Sequence, residues 1–434
     1  MLGLPDLGYR PALQRSATVY LSRQDDPRSV PRAGLSSIPV ARNVVFLGLT
    51  SLFTDISSEM VSAVLPMYLV TVLGFSGIAY GFLDGAQHGI TALLRVVSGV
   101  VADRRRHHKS VAAVGYILSA ISKAGLLVSG AAPIAAGTFL CLDRLGKGVR
   151  TSPRDALISL SSDRSNLARA FGVHRALDTA GALVGPVAAF GILSLVPGQY
   201  AVLLVCSFGI ALTGIGTLLF FVEDKQGHRP EVGALSLSSL FSPLRSSVYR
   251  RLFLAAVMVT IATVGDGFVY LNIQRLSLFD PRFFPLLFAG TSMSYVILAV
   301  PFGRIADRFG RRHLFLLGHL FLLGTYVLIT RRGAPLIGTV GCLALHGAYY
   351  AATDGILAAL AASVLPESSR ATGISLLTTG TALARLAAAA LYGVLWTHAG
   401  PGTATAIFAV ALIVSLGLAA VLLYGGHPQG DNIP

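Results

Sequence analysis

The stretch Gly303-Arg-Ile-Ala-Asp-Arg308 decides the fold, because it is the second copy of a short motif that ends a long apolar run. The first copy, Gly99-Val-Val-Ala-Asp-Arg104, lies 204 residues earlier and also ends an apolar run. A second pair of short runs, Arg169-Ala-Phe-Gly172 and Arg370-Ala-Thr-Gly373, is 201 residues apart and opens two further apolar runs. Two motifs repeated at nearly the same offset predict two parallel repeats within the chain.

The composition is typical of an integral membrane protein. Of the 434 residues, 53% are hydrophobic and 12% are charged, whereas an average soluble domain contains about 25% charged residues. A water-soluble fold of this size cannot cover itself with so few charges. The composition therefore excludes a disordered protein, a disulfide scaffold and a soluble nucleic-acid binder, and we expect no nucleic-acid partner despite the formal charge of +14.

Apolar runs of membrane-spanning length, about 20 residues, occur twelve times along the chain. We therefore predict an all-α integral membrane fold of twelve transmembrane helices in two pseudo-symmetric six-helix halves. The predicted spans are 44–71, 78–101, 110–130, 133–157, 168–192, 200–222, 251–275, 283–306, 312–331, 335–363, 371–397 and 402–424. The predicted segments are a cytoplasmic N-terminal tail at 1–41, a half at 42–222, a cytoplasmic linker at 223–249, a half at 250–426 and a C-terminal tail at 427–434.

Lys and Arg residues are distributed unequally between the two sides of the predicted membrane. Twenty lie on the side of the N-terminus and the loops that follow even-numbered spans, and three, Arg282, Arg331 and Arg332, lie on the other side. Cationic loops resist translocation. The asymmetry predicts a multi-pass protein of the cell inner (plasma) membrane with both termini and the linker in the cytoplasm. The N-terminal tail lacks an apolar stretch of signal-peptide length, so we expect no cleavable signal peptide.

The sequence contains no pattern of metal ligands and no nucleotide-binding loop. The three cysteines, Cys141, Cys206 and Cys342, lie inside apolar runs, so we expect buried thiols rather than disulfides or a metal site. No His pair has the spacing of metal ligands on a helix, and there is no Walker loop. We therefore expect no metal and no cofactor, and an ATP-driven pump within this chain is excluded.

Acidic residues inside the predicted spans are candidates for coupling transport to protons. Asp55 lies about eleven residues into the first span, and Glu59 lies one helical turn further. Two carboxylates on one face repel each other and a low dielectric favours their neutral forms, so at least one is predicted to take up a proton readily. The seventh span also contains an acid, Asp266. The alternative is that Asp55 and Glu59 are permanently paired with buried cations. The candidate cations are Arg95, Lys123 and Arg144.

Charged residues also follow one face of the fourth span. Asp143 and Arg144 lie about 15 Å into it, close to the bilayer midplane. Ionisable groups at that depth are unfavourable unless they are paired or hydrated, so they indicate a cavity or an ion path. Asp143, Lys147, Arg150 and Arg154 are spaced four, three and four residues apart, and a salt-bridge ladder that only holds helices together is the alternative.

Several further polar residues within spans are candidates for a transport path. His174, Arg175 and Asp178 lie on one face of the fifth span, where an internal ion pair explains them as well as function does. Other polar residues are candidates for lining a substrate cavity. For each one, a buried position in which its hydrogen bonds are satisfied is an equally good explanation. The cavity candidates are His88, His174, His346, Asp354 and Arg385.

These motifs resemble those of the major facilitator superfamily of secondary transporters, and the resemblance extends from about Arg42 to Tyr424. The run Gly303-Arg-Ile-Ala-Asp-Arg-Phe-Gly-Arg-Arg312 is similar to the signature loop between the eighth and ninth helices of that family. Leu140-Cys-Leu-Asp-Arg-Leu-Gly-Lys-Gly148 resembles its fourth-helix motif, with Lys147 in place of the usual Gln. More narrowly, the chain looks like a bacterial branch whose substrates are mostly unassigned.

The run Gly181-x-x-x-Gly185-Pro186 in the fifth span resembles a motif of the antiporters in this superfamily. Two glycines four residues apart allow another helix to approach closely, and a proline kinks the segment, so it can act at a gate. A plain packing motif is the alternative. The gating residues that these resemblances imply are Gly99, Asp103, Arg104, Gly181, Gly185, Pro186, Gly303, Asp307 and Arg308.

The resemblance implies a secondary active transporter that moves a small molecule by alternating access. The antiporter-like motif favours proton-coupled export. The expected partners are a small-molecule substrate, protons and the lipid bilayer, and the protein is expected to be monomeric. The residues predicted for proton coupling and transport are Asp55, Glu59, Asp143, Arg144, Lys147, Arg175, Asp178 and Asp266.

Two other functions remain open at this point. An importer of a small anionic substrate would explain why eleven bases but eight acids lie within or next to the spans. An integral-membrane enzyme or a non-transporting sensor is the alternative from another class. No nucleophile–base arrangement is recognisable in the sequence, so we expect no enzymatic activity.

Overall fold

Twelve helical spans make up the described part of the chain. The computed structural model describes residues 40–105, 107–130, 132–163, 166–225, 241–277, 279–330 and 335–425, with side chains at all of these positions except 95–105, 168, 335, 367, 368 and 371. In chain order the spans are α1 (Arg42–Val72), α2 (Gly77–Arg105), α3 (His108–Val128), α4 (Pro133–Leu160), α5 (Leu167–Leu195), α6 (Tyr200–Phe221), α7 (Ser247–Ser277), α8 (Pro285–Phe309), α9 (Arg311–Leu328), α10 (Pro335–Thr353 and Ile356–Val364), α11 (Glu367–Ala399) and α12 (Pro401–Tyr424).

The predicted all-α membrane fold is confirmed. Each predicted span overlaps one helix, and none of the described residues forms a strand. Eight of the helices are long and apolar enough to cross a bilayer. α4 is not among these eight because it carries six charged residues between positions 143 and 155. This helix needs polar partners from its neighbours, which the other helices supply.

α7 is interrupted between Ile261 and Asp266. The break frees backbone groups that have no water to bind at this depth. The hydroxyl of Tyr326 on α9 satisfies two of them, since it accepts a 2.7 Å hydrogen bond from the N–H of Val264 and donates a 3.1 Å bond to the carbonyl of Ala262. The second segment of α7 begins with Asp266, which places this acid at a helix N-terminus.

The connection between α8 and α9 is a single residue, Gly310. Its φ angle is 93°, in the left-handed region that favours glycine. Its N–H donates to the carbonyl of Ala306 at 3.0 Å and so closes the last turn of α8. The run from Gly303 to Arg312 therefore consists of the end of α8, a one-residue turn and the start of α9.

The first six helices and the last six each pack among themselves. In the first six, α1 lies against α5 and α6, while α4 lies against α2 and α3. In the last six, α10 lies against α8 and α9, while α12 lies against α7, α9 and α11. α3 and α4 approach each other closely at Gly115, where a β-carbon would lie 2.7 Å from the carbonyl oxygen of Gly146. The segment boundaries predicted for tails, halves and linker stay predictions.

Contacts between the first six and the last six helices close one end of the bundle. Gly81 and Gly85 on α2 approach α11 so closely that a β-carbon at either would collide with the α11 backbone. Phe190 on α5 stacks on Phe283, just before α8, with ring centroids 5.5 Å apart. These residues lie toward the end where α1 finishes and α12 begins. We call this the closed end, and the end near residues 42 and 424 the open end.

Two details differ from the sequence-based expectations. Cys206 on α6 is exposed rather than buried, because the outer surface of a membrane helix accepts a small apolar side chain. Cys141 is partly buried, Cys342 is buried, and all three thiols are free. α7 begins at Ser247, inside the predicted linker. The predicted tail at 1–39, residues 226–240 of the linker and the C-terminal tail lie outside the described residues.

Candidate functional site

A close contact between α1 and α5 forms the centre of the candidate site. Gly181 and Gly185 face α1, and β-carbons at these positions would each lie 2.8 Å from a carbonyl oxygen of α1. The same β-carbons would lie 3.0 Å from that of Asp55 and 2.9 Å from that of Glu59. Helices can approach this closely only where a β-carbon is absent. The antiporter-like motif therefore packs directly against both acids of the first span.

The carboxyl groups of Asp55 on α1 and Asp178 on α5 lie within reach of a hydrogen bond across this contact. Such a bond forms when one of the two groups carries a proton, because two ionised carboxylates have no donor between them. Both side chains are partly buried, and that of Asp178 is 23% exposed. The arrangement is a pair of adjacent carboxyl groups on two helices.

Three basic side chains surround the other side of Asp178. Its carboxylate oxygens lie 3.7 Å from Nη1 of Arg154, 4.0 Å from Nε2 of His174 and 3.8 Å from Nη1 of Arg175. Each distance exceeds that of a hydrogen bond. Arg154 is instead bound to Asp155 through Nη2 at 3.0 Å. Asp178 therefore lies between one acid, which is within reach of a hydrogen bond, and three bases, which are not.

The second acid of α1, Glu59, has a cationic neighbour on α4. Nζ of Lys147 lies 4.0 Å from its Oε1, and about a third of each side chain is exposed. The two acids of α1 thus have different surroundings, since Asp55 contacts another acid and Glu59 contacts a base. The different neighbours distinguish Asp55 from Glu59, which the sequence alone does not.

A buried ion pair between α3 and α4 corrects the pairing considered for the acids of α1. Nζ of Lys123, which is 2% exposed, lies 3.3 Å from Oδ1 of Asp143. Nη2 of Arg144 lies 3.8 Å from Oδ2 of the same carboxylate. Arg144 also donates to Gln87 on α2, at 3.0 Å. Lys123 and Arg144 are therefore committed to Asp143 and neither forms an ion pair with Asp55 or Glu59. The side chain of Arg95, the third cation considered, lies outside the described residues.

The basic residues of α4 contact different neighbouring helices. Lys147 faces α1, and Arg154 faces α5. Arg150 turns to α3, where Nη1 donates to Oγ of Ser119 at 2.6 Å and the guanidinium lies 5.0 Å from the ring of Tyr116. The predicted ladder on one helix face is thus divided among three neighbours, which fixes the position of α4 within the first six helices.

A second group of polar residues surrounds Asp266 at the break of α7. Its Oδ1 accepts a hydrogen bond of 2.5 Å from the hydroxyl of Tyr350 and lies 3.1 Å from Nε2 of His346. His346 is 1% exposed. Both partners are on α10, so the acid at the start of this helical segment is held by the neighbouring helix.

Asp84 on α2 faces this break, and the sequence analysis did not include it among the site residues. A β-carbon at Gly265 would lie 2.6 Å from its Oδ2. Tyr80, one turn earlier on α2, presents its hydroxyl to Gly267 and its ring to Phe268, with centroids 4.9 Å apart. Asp84 occurs as one isolated acid in a glycine-rich run, so only the contact between helices reveals its position at the closed end.

The remaining cavity candidates do not gather at one point. Asp354 is exposed and its Oδ2 accepts a 3.4 Å hydrogen bond from Tyr295 on α8. His88 on α2 is exposed. Arg385 on α11 is partly buried and acts electrostatically on both Asp266 and Asp354.

At the predicted gate, the second copy of the repeated motif is held within its own turn. Asp307 lies 3.4 Å from Nη2 of Arg311, and the guanidinium of Arg308 lies over Phe309. Around Gly303 a β-carbon would meet no atom within 4 Å. Pro186, next to the α1 contact, is buried. In the first copy of the motif, the predicted gating residues are Gly99, Asp103 and Arg104. Their side chains lie outside the part of the chain that the structure describes.

A family profile described as Major Facilitator Superfamily matches residues 47–280 and 277–434 of this chain. The match includes all twelve helices and the polar residues of α1, α4, α5 and α7. The chain belongs to the major facilitator superfamily. It is therefore a multi-pass membrane transporter, a secondary transporter that works by alternating access.

Individual relatives agree with this membership. The uncharacterized MFS-type transporter MJ1317 of Methanocaldococcus jannaschii is 30% identical over 371 residues, which cover 82% of this transporter and 89% of that protein. The solved structure of the nucleoside transporter NupG has a TM-score of 0.72 at 14% identity, over 88% of this chain and 99% of NupG. A POT family transporter in complex with 5-aminolevulinic acid has a TM-score of 0.73 at 13% identity, over 88% and 96%. At these identities the two structures establish the fold alone.

The buried ion pair of this transporter gives a prediction about stability. Replacing Lys123 by Met should lower the free energy of unfolding by about 3–5 kcal/mol, because it breaks a buried ion pair and leaves the Asp143 carboxylate with only the more distant Arg144, at 3.8 Å. Replacing Lys225 by Met is the matched control, since Lys225 pairs with Glu223 at 3.1 Å while both side chains are well exposed, and such pairs contribute about 0–1 kcal/mol. Thermal unfolding of the purified proteins measures both changes. Equal stability of the parent and the Lys123 variant would contradict the prediction.

Proposed function

We propose that this transporter exports a small organic molecule in exchange for protons, and that Asp55 and Asp178 hold the coupled proton between them. The observation that supports this most directly is the close contact of α1 with α5, which places the two carboxyl groups within reach of a hydrogen bond that one shared proton completes. Such a pair holds its proton because ionising both groups would place two negative charges side by side. Because Asp178 is partly exposed, the proton can exchange with water between the helices.

The surroundings of Asp178 suit release of the proton as well as its binding. When the proton leaves, both carboxylates are negatively charged, and that of Asp178 lies within 4.0 Å of Arg154, His174 and Arg175. These bases stabilise the ionised form. Both states of the pair therefore have partners, which is the property that a site needs in order to bind and release a proton in every cycle.

Glu59 has a different neighbour from Asp55. Lys147 lies 4.0 Å away, so the two side chains form an ion pair between α1 and α4. We therefore assign the coupled proton to the pair of Asp55 and Asp178 and give Glu59 and Lys147 the role of a fixed ion pair beside it. Arg144 contacts Asp143 and Gln87 rather than the pair itself, and it therefore supports the site from one helix further away.

The open end of the bundle is proposed to face the cytoplasm. The loops at this end carry most of the Lys and Arg residues, which favours a cytoplasmic position. On this basis the structure represents an inward-open state, and both termini and the linker 223–249 are cytoplasmic. Transport then consists of a rocking motion of residues 42–222 against 250–426, which exchanges the closed end for the open one.

We propose export because of the contact between α5 and α1. Gly181 and Gly185 bring the two helices into backbone contact at the level of Asp55 and Glu59, and such a contact restricts the movement of protons past the pair. An exporter that uses an inward proton gradient depends on such a seal, because a leak dissipates the gradient without moving substrate.

An importer of an anionic substrate is the second candidate. The side chain of Arg175 is 79% exposed and that of Lys147 is 33% exposed. Both are mid-helix cations in contact with the space between the helices, where they can bind a carboxylate or phosphate group. In that case Arg175 contacts the substrate, whereas in an exporter it serves mainly to stabilise ionised Asp178.

The coupling assignment predicts that replacing Asp55 or Asp178 by Asn abolishes gradient-driven transport. The amide keeps the size and hydrogen bonding of the pair but removes the exchangeable proton, so exchange of substrate down its own gradient should persist. Asp280→Asn is the matched control, since Asp280 lies in the connection before α8, is exposed and pairs with Arg282 at 3.4 Å. A substrate found by thermal-shift screening of drugs, sugars and phosphorylated acids is followed in proteoliposomes with and without a pH gradient. The assignment is wrong if both Asn variants concentrate substrate as the parent does.

The contact of α5 with α1 predicts that Gly185→Ala slows transport about tenfold, because overpacking of about 1–3 kcal/mol must be relieved by separating the helices. The new β-carbon would lie 2.8 Å from a backbone carbonyl of α1. Gly191→Ala is the matched control on the same helix, since a β-carbon there meets nothing within 4 Å. Proton leak and substrate transport are measured in the same vesicles. Parental values for both quantities in the Gly185 variant would show that the contact is not part of the gate.

The direction of transport is tested in vesicles in which the transporter has a known orientation. For an exporter, an imposed proton gradient should drive the substrate in the opposite direction to the protons. Movement of substrate and protons in the same direction, with accumulation on the cytoplasmic side, would contradict export and favour the importer of anions.

A further inference from the structure

His174 on α5 is buried without a hydrogen-bond partner. It is 4% exposed, and neither Nδ1 nor Nε2 has a partner among the described residues. A buried polar group without a partner is rare in folded proteins and needs an explanation. Its Nε2 lies 4.0 Å from Oδ1 of Asp178, so the ring is directed at the carboxyl pair without being bound to it.

The titratable and charged groups around His174 come from four helices. On α5 itself they are Asp178 and Arg175, and on α4 they are Arg154 and Asp155. α1 contributes Asp55 behind Asp178, and α8 contributes Tyr295 near Arg175. Arg154 already has closer bonds, since it binds Asp155 at 3.0 Å and Ser51 at 3.2 Å, whereas Arg175 is largely exposed to solvent. The imidazole of His174 is the buried basic group next to Asp178 that has no hydrogen bond among the described residues.

Asp178 can occupy two positions with only a small movement. With a proton present, it is bonded to Asp55 across the contact of α1 and α5. Without that proton the two carboxylates repel each other, and the bond is lost. A movement of about 1 Å brings the carboxylate from 4.0 Å to hydrogen-bond distance from Nε2 of His174. An imidazole offers an N–H donor in its neutral form as well as in its charged form.

We propose that His174 is the partner that receives Asp178 after the proton has left, and that this exchange of partners releases α1 from α5. His174 is in this role a positioning residue, because it binds neither the transported proton nor the substrate. The inference rests on the proposed function, since it requires a proton shared by Asp55 and Asp178. Its two supports are the unpartnered, buried ring and the carboxylate that lies one short movement away.

The proposal has a direct consequence for the pH at which the pair loses its proton. A hydrogen bond from His174 to ionised Asp178 stabilises the deprotonated state. Removing the donor destabilises that state, so the pair should keep its proton to higher pH. The expected increase in the midpoint is about one pH unit, which corresponds to one hydrogen bond to a charged group.

The experiment is an infrared titration of the full-length purified protein, with protons as the only ligand. The absorption of protonated carboxyl groups is followed as the pH is raised, and the part that belongs to the pair is the part that Asp55→Asn removes. His174→Met, which has no donor, should raise the midpoint by about one pH unit. His174→Gln, which offers an N–H at a similar position, should return the midpoint toward the parental value. His398→Met is the matched control, since His398 is exposed at the end of α11.

The possible results separate this inference from the proposed function. A raised midpoint in His174→Met with recovery in His174→Gln supports the inference, because a loss of packing alone would affect Met and Gln alike. An unchanged midpoint in His174→Met, while Asp55→Asn still removes the band, overturns the role of His174 and leaves the shared proton intact. Absence of any band sensitive to Asp55→Asn in the parent overturns both. A shift of equal size in His398→Met also overturns the inference, since the effect would then be non-specific.

Discussion

The backbone contact between α1 and α5 is the constraint on which the polar centre of the first six helices depends. Glycines at 181 and 185 let α5 lie against the carbonyl groups of α1, and this brings Asp178 within hydrogen-bond reach of Asp55. With larger residues at these positions the helices would lie further apart and the two carboxyl groups could not share a proton. A packing motif therefore determines the chemistry of the site, because it fixes the separation of two titratable groups on different helices.

Charges inside the bundle divide into two kinds according to their partners. Lys123 and Asp143 form a closed pair at 3.3 Å, and Arg150 is held by Ser119 at 2.6 Å. Such charged groups have their partners in a single arrangement of the helices, and they hold those helices together. Asp178 differs, because it lies within hydrogen-bond reach of an acid while its basic neighbours remain beyond hydrogen-bond distance. A group with two competing sets of partners can change between them, whereas a fully bonded group cannot. The difference in partners, rather than burial alone, distinguishes a site of function from one of structure.

The sequence predicts the helices well and the contacts between them poorly. Apolar runs and two repeated motifs are enough to predict all twelve spans, since the membrane requires helices of a certain length. The break of α7 was not predicted, because Ala262 to Gly265 keep the run apolar and the compensating hydroxyl, that of Tyr326, lies more than 60 positions away in the sequence. Asp55 and Asp178 were each predicted, but spacing along a helix reveals only neighbours on that helix. Their pairing depends on how α1 and α5 pack, which no single segment encodes.

The two repeats retain one architecture but have different chemistry at equivalent positions. With the offset of 201 that relates α5 to α11, the positions of His174, Asp178 and Gly185 correspond to Ser375, Thr379 and Leu386. α11 therefore has neither the acid nor the glycine that form the proposed proton site. Leu386 instead lies against Gly85 of α2, where it belongs to the contact that joins the last six helices to the first six at the closed end. One copy of the helix thus supplies a titratable group next to α1, while the other supplies a closing surface. The closing surface of α11 meets the first six helices. A change in how α1 and α5 pack therefore alters the surface against which α11 closes. This contact provides a physical connection between the proposed protonation of α5 and the opening of the bundle.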